Sequence, residues 1–142
     1  MREFKFRVWD KKEERFIEWF NPDPMISCGS GKIFCYERRE GSEDELNNLR
    51  DAAGELVVQQ YTGLKDKNGK EVYEGDIVLE KMTDEMAEEG DSCNVGKVFF
   101  AAGSFMIDGD TTMYANVRSL TPDILEDYTV IGNIFENPEL LK

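Results

Sequence analysis

The stretch from Leu56 to Val78 constrains the fold more than any other part of the chain. Leu56, Val57, Val58 and Tyr61 have strand character, and the run then meets Asp66-Lys67-Asn68-Gly69-Lys70 before apolar residues resume at Val72. An Asn-Gly pair tolerates the positive φ that tight hairpin turns require. Leu64 and Val72 flank the turn, so a β-hairpin over residues 60–78, turning at Asn68-Gly69, is predicted. Gly75-Asp76 then marks a bulge or sharp bend in the strand expected over residues 73–81.

The same alternation of short apolar runs and turn residues extends over most of the chain. Phe4, Phe6 and Val8 alternate with Lys5 and Arg7 in residues 3–9, the period-2 pattern of a strand with an inward apolar face and a solvated basic one. The charged residues 10–14 suit a turn into a second strand at 15–20, and further strands are expected at 32–38, 95–101, 105–108, 113–120 and 128–135. One helix interrupts the series. Ser42 and Glu45 form a capping-box pattern, Leu46, Leu49 and Ala53 recur at helical spacing, and Gly54 suits a C-terminal cap, so a short helix over residues 43–53 is predicted to lie against the sheet. Thr121-Pro122-Asp123 starts a second helical turn, with room for only about one turn before Tyr128. Asn137-Pro138 begins a terminal turn ending in Leu140 and Leu141. About eight or nine short strands against one helix describe a mainly β protein, a small barrel or strongly curled antiparallel sheet.

A chain of 142 residues with nine Phe, five Tyr and two Trp can fill the core of one domain spanning residues 1–142. Residues 83–92, rich in acids and without a base, are expected to form a mobile loop. Histidine is absent, which excludes Ser/His and Cys/His catalysis and removes the commonest transition-metal ligand. Cys28, Cys35 and Cys93 fit none of the close-paired zinc spacings, and three free thiols in a reducing compartment are expected. No apolar run reaches the roughly 18 residues of a membrane span. The expected location is the cytoplasm.

The net charge of −13 is uneven: residues 80–142 hold 13 acidic and 4 basic side chains, net −9. Such a field repels phosphate backbones, so no nucleic acid is expected as a direct partner and a basic protein surface is the expected complement. Other motifs dissolve on inspection. Asp66-Lys67-Asn68-Gly69 opens like a calcium loop but places its glycine fourth instead of sixth. Asp108-Gly109-Asp110 reads as turn chemistry, and Gly29-Ser30-Gly31 lacks the lysine of a phosphate loop. The aromatics Phe4, Phe6 and Trp9 read as core residues in preference to a base-stacking platform. No catalytic, cofactor-binding or metal residue is assigned.

Three separated segments resemble the YopX family of phage and prophage proteins. The central one is Gln60-Tyr61-Thr62-Gly63-Leu64-Lys65-Asp66-Lys67-Asn68-Gly69-Lys70-Glu71-Val72-Tyr73-Glu74-Gly75-Asp76-Ile77-Val78. Residues 2–10 and 131–141 are similar to that family's ends. The resemblance implies a phage or prophage origin and a β-barrel core, and it transfers no catalytic residue. Within the signature, Tyr61, Tyr73 and Asp76 are the candidates for a binding role beside their folding role. The leading functional reading is a non-enzymatic module that assembles with itself or binds a host or phage protein. An acidic DNA mimic that inhibits a basic host protein ranks second, and a carboxylate-based metal-dependent enzyme ranks last.

Overall fold

The computed structural model describes residues 3–17, 25–26, 33–36, 49–51, 54–80, 94–109 and 116–141. In chain order these form β1 (Phe6–Asp10), β2 (Arg15–Phe16), β3 (Met25–Ile26), β4 (Ile33–Tyr36), β5 (Leu49–Asp51), β6 (Leu56–Lys65), β7 (Glu71–Tyr73) and β8 (Asp76–Glu80). Then follow β9 (Val95–Ala101), β10 (Ser104–Gly109), β11 (Asn116–Ser119), the single-turn helix α1 (Pro122–Leu125), β12 (Tyr128–Asn133) and a 3-10 turn, Pro138–Leu141. The protein is mainly β, as its turn spacing requires. Three antiparallel sheets result, with strand orders β2-β1-β6-β7, β11-β10-β9-β8-β12 and β3-β4-β5, and the first of them is strongly curled.

The chain divides into two compact units, one of residues 1–7 and 59–142, the other of residues 8–58. In the first, Val72, Val78, Val98, Ile107, Leu125, Tyr128 and Val130 make the core, with Leu64, Leu120 and Ile124 packed against it. Strands β9 and β10 reach this core by alternation: Val98 and Ile107 point inward while Lys97 and Asp108 do not. Asp76, Ile77 and Val78 are buried in succession because β8 is an inner strand of its sheet, between β9 and β12. Each aliphatic side chain so buried contributes about 1.5–3 kcal/mol. Thr121 and Pro122 start α1 where the sequence places them, and the helix exists to bury Leu125.

In the second unit, Val8 and Leu56 form a smaller core with Ile17 and Val58. Trp9 faces Phe16 across the β1–β2 pair, ring centroids 5.0 Å apart and nearly perpendicular. The intervening turn is held by Asp10, whose Oδ1 accepts from the N–H groups of Lys12 at 2.8 Å and Glu13 at 3.0 Å. This is the hairpin expected from residues 10–14.

Two expectations are corrected. The predicted helix over 43–53 fails at Leu49–Asp51, which is strand β5 and pairs residue by residue with Tyr36, Cys35 and Phe34. Cross-strand pairing with a distant segment overrides local helical spacing, which rested on only three apolar positions. Residues 43–48 and 52–53 lie outside the described residues, as do Cys28, Cys93, Asp110 and the acidic stretch 83–92. The inward face assigned to Phe4, Phe6 and Val8 is also incomplete: Val8 is buried, Phe6 is half-buried and Phe4 is 70% exposed. Phe4 lies just before β1.

The predicted hairpin at 60–78 is present. Lys65 pairs with Glu71 and Tyr61 with Tyr73, with an irregularity between the two pairs. Gly69 takes φ +80, and Gly69 N–H closes the turn onto Asp66 O at 2.9 Å. Gly75, also at φ +80, forms the sharp bend between β7 and β8, where an added Cβ would lie 2.1 Å from Nε2 of the buried Gln59. Gly69→Ala, with nothing within 4 Å of its Cβ position, is therefore expected to lose only about 1 kcal/mol from backbone strain. Gly75→Ala is expected to lose about 3 kcal/mol, because strain and a buried clash add. Urea melts of the two variants check the difference.

Candidate functional site

The residues with the richest chemistry converge around one carboxylate. The bend at Gly75 delivers Asp76 to the start of β8, where its side chain is 1% exposed. Its Oδ1 forms an ion pair with the Arg7 guanidinium and accepts from Asn133 Nδ2 at 3.2 Å. Its Oδ2 accepts the Tyr73 N–H at 2.8 Å. Gln59 bridges the same partners, with Oε1 accepting from Arg7 Nε at 2.8 Å and from Asn133 Nδ2 at 3.1 Å. Asn133 in turn uses Oδ1 to accept the Phe135 N–H at 3.1 Å, which ties down the chain beyond β12. Gln59, Asp76 and Asn133 are all buried.

A second layer covers this center. The Arg7 guanidinium lies over the Tyr73 ring, 4.6 Å from its centroid, and Tyr61 and Tyr73 stack at 5.3 Å in tilted geometry. Lys5 Nζ lies over the Tyr61 ring at 5.5 Å and donates to Glu71 Oε1 at 2.6 Å, while Tyr73 OH donates to Glu71 Oε2 at 2.8 Å. Period-2 geometry explains the assembly. Lys5 and Arg7, Gln59 and Tyr61, and Glu71 and Tyr73 are each two residues apart on β1, β6 and β7 or just before them, so each pair shares a face.

The electrostatics follow from these contacts. Burial pushes the Tyr73 phenol up to about 12, and its hydrogen bond to Glu71 adds to the rise. Burial, and then the Glu71 charge, raises Tyr61 as well. The bonds from Lys5 and Tyr73 hold the Glu71 carboxyl below its ordinary range, and Lys5 is raised in return. Both phenols are therefore protonated at neutral pH, and Tyr73 acts as a donor to Glu71. Across the unit, burial and the Glu80 charge push Tyr128 up to about 12, and Glu80 also accepts from Asn94 at 2.9 Å and Arg118 at 3.1 Å.

The hairpin tip repeats the principle on a smaller scale. Asp66 is buried, with Oδ1 accepting from Asn68 N–H at 2.8 Å and Lys70 N–H at 2.9 Å, and Oδ2 accepting from Val130 N–H at 2.9 Å. Burial alone would raise this carboxyl, but the N–H groups of Val130, Lys70 and Asn68 outweigh it and hold the pKa below the ordinary value.

Of the residues singled out from sequence, Tyr61, Tyr73 and Asp76 do come together. Arg7, Gln59 and Asn133 were missed as their partners. Arg7 and Asn133 lie in the two terminal segments that resemble the YopX family, so the three separated stretches of resemblance meet at Asp76. Among the described residues every buried side-chain nitrogen and oxygen has a hydrogen-bond partner, and no group of three His, Cys, Asp or Glu is placed to hold a metal. Trp9 packs edge-on against Phe16, and Tyr61 pairs with Tyr73. No helix among the described residues is long and apolar enough to cross a membrane.

Comparison with known proteins gives the family and a similar fold. The sequence profile of the YopX family, described as YopX protein, matches residues 5–142. The crystal structure of protein EF1440 from Enterococcus faecalis is similar over 100% of both chains, with 30% identity and a TM-score of 0.64. No curated protein matches the chain.

Two tests follow from the geometry. Asp76→Ala strands a guanidinium, an amide and a backbone N–H, and is expected to cost about 3–5 kcal/mol. The double variant Arg7→Met/Asp76→Leu is expected to lose less than the two single changes together, a non-additivity that equilibrium unfolding measures. The pH profile has two limbs. Asp66 and Glu71 have lowered pKa values, so their stabilization is complete above the ordinary 3.8 and 4.5 and is lost as pH falls through the folded values. Tyr73 is raised, so stability is retained below 10 and declines as pH rises from 10 through about 12. Asp66→Asn is expected to reduce the acid limb in urea titrations and leave the alkaline limb unchanged.

Proposed function

Since the chain belongs to the YopX family, we propose that it is a phage- or prophage-derived protein-interaction module without enzymatic activity, acting through surface contacts with itself or with a host or phage protein. The observation that carries this reading is the closure of the polar center: Arg7, Gln59, Asp76 and Asn133 bond to one another and to the backbone. Tyr61 and Tyr73 are held as neutral phenols under Lys5 and Arg7, and Glu71 is shared between Lys5 and Tyr73. Groups committed in this way serve to position strands. Function then falls to the surface.

Electrostatics choose the class of partner. Residues 80–142 carry net −9, and Lys5 and Arg7, the bases nearest the N-terminal aromatics, are already paired with Glu71 and Asp76. Affinity for nucleic acid comes from Lys and Arg that replace phosphate counterions, and these two have no charge to spare. A protein surface is the fitting partner. Fluorescence polarization with random duplex and single-stranded oligonucleotides at about 0.1 M salt, where the Debye length is about 10 Å, is expected to show no micromolar binding. Micromolar or tighter binding would overturn the reading, as would turnover of phosphoester, peptide or glycoside substrates in the presence of magnesium or manganese.

A further inference from the structure

The turn between β6 and β7 reverses the charge of the molecule around it. Lys65, Lys67 and Lys70 are all exposed, and among the described residues none of them takes part in an ion pair. The neighboring acids offset them only in part: Asp66 is buried and its carboxylate accepts from the N–H groups of Asn68, Lys70 and Val130, with the Lys70 charge acting on it from outside. The next acid, Glu71, is held at ion-pair distance by Lys5 and feels Lys65 as a weaker charge. The backbone beneath the lysines is fixed as well, by Asp66 N–H to Lys70 O at 2.8 Å and Gly69 N–H to Asp66 O at 2.9 Å. A chain of net −13 thus presents three cations on a rigid tip.

The opposite charge lies beside it in the same unit. Asp123, Glu126 and Asp127, in α1 and the turn after it, are exposed and also outside any ion pair among the described residues. The tip is joined to this region directly: Lys67 N–H donates to Tyr128 O at 3.3 Å, and Val130 N–H donates to Asp66. The lysine tip therefore crosses β12 one residue beyond Asp127. A cationic patch next to an anionic patch on one surface is complementary to its own copy rotated by a half-turn, the geometry of an isologous contact.

We propose that two copies of this chain associate about a two-fold axis, the Lys65, Lys67 and Lys70 tip of each against Asp123, Glu126 and Asp127 of the other. The proposal rests on the interaction-module reading above and names its partner, a second copy. Charge complementarity selects that occupant. A polyanion drawn to the lysines meets three carboxylates beside them, whereas a second copy satisfies both patches at once. The overall charge of −13 opposes association, but that repulsion is long-range and is screened at about 0.1 M salt, where contacts at ion-pair distance are screened far less. Exposed ion pairs are individually weak. The dimer is accordingly weak, with a dissociation constant of about 100 µM, and it is disrupted at about 1 M salt, where the Debye length falls to about 3 Å.

Sedimentation velocity over a concentration series at about 0.1 M salt tests the contact. The variants are Lys65→Glu/Lys67→Glu/Lys70→Glu and Asp123→Lys/Glu126→Lys/Asp127→Lys, each checked for an unchanged circular dichroism spectrum and melt. Each alone is expected to self-associate at least tenfold more weakly than the parent chain, since one carries two anionic patches and the other two cationic ones. Mixed together, they are expected to form a heterodimer. A parent chain that stays monomeric to about 1 mM, reversed variants that associate as the parent does, or a mixture that stays monomeric would each overturn the two-fold contact. None of these outcomes bears on the oligonucleotide and turnover assays, which judge the broader reading separately.

Discussion

A carboxylate cut off from water has to be given donors by the protein, and Asp76 imposes that requirement on this fold. Its two oxygens take a guanidinium from β1, an amide from the end of β12 and a backbone N–H from β7. Such a cluster adds little net stability over an apolar core of equal volume, but removing one member is costly because the others remain buried and unsatisfied. Its effect is thus to exclude alternatives. A register slip of one residue in β6 would turn Gln59 away from Arg7 and Asn133 and present Gln60 or Val58 in its place.

Several features that look like a reactive site follow from the same requirement. Arg7 must approach Asp76, which brings it over the Tyr73 ring, and Tyr73 in turn donates to Glu71, which Lys5 neutralizes. Raised phenols and a lowered carboxyl are consequences of this chain of partners. Asp66 is the same device in a tight turn, with three N–H groups in place of an arginine. Perturbed ionization marks functional sites often enough to invite that reading. Here it marks the joints of the hairpin.

The sequence made local structure legible and the polar center illegible, for one reason. Asn68-Gly69, Gly75-Asp76 and Thr121-Pro122 act through their own φ preferences or those of adjacent residues, and each produced the turn or helix start that its chemistry demands. The strand expected at 95–101 is present with those bounds, and the one expected at 128–135 is present over Tyr128–Asn133. Leu49 misled, because three apolar residues at helical spacing say nothing about a strand such as β4 waiting to pair. Arg7 misled in the opposite sense. Alternation assigns it to solvent, and the acid that claims it lies 69 residues further on, with Asn133 another 57 beyond that. Only the resemblance of three separated segments to one family hinted that they meet.

These separations also fix an order of events. During synthesis the chain emerges from its N-terminus, so Arg7 is available long before Asp76, and both precede Asn133. A nascent chain that has reached β8 can pair β1 with β6 but lacks the amide that completes Asp76, and β8 still lacks β12 as its second neighbor. Asp76 at that stage has the Arg7 guanidinium and the Tyr73 N–H but not the Asn133 amide. The last donor of the buried carboxylate therefore comes from the strand farthest along the chain, so a network that looks local in space is assembled from segments made at three separate times.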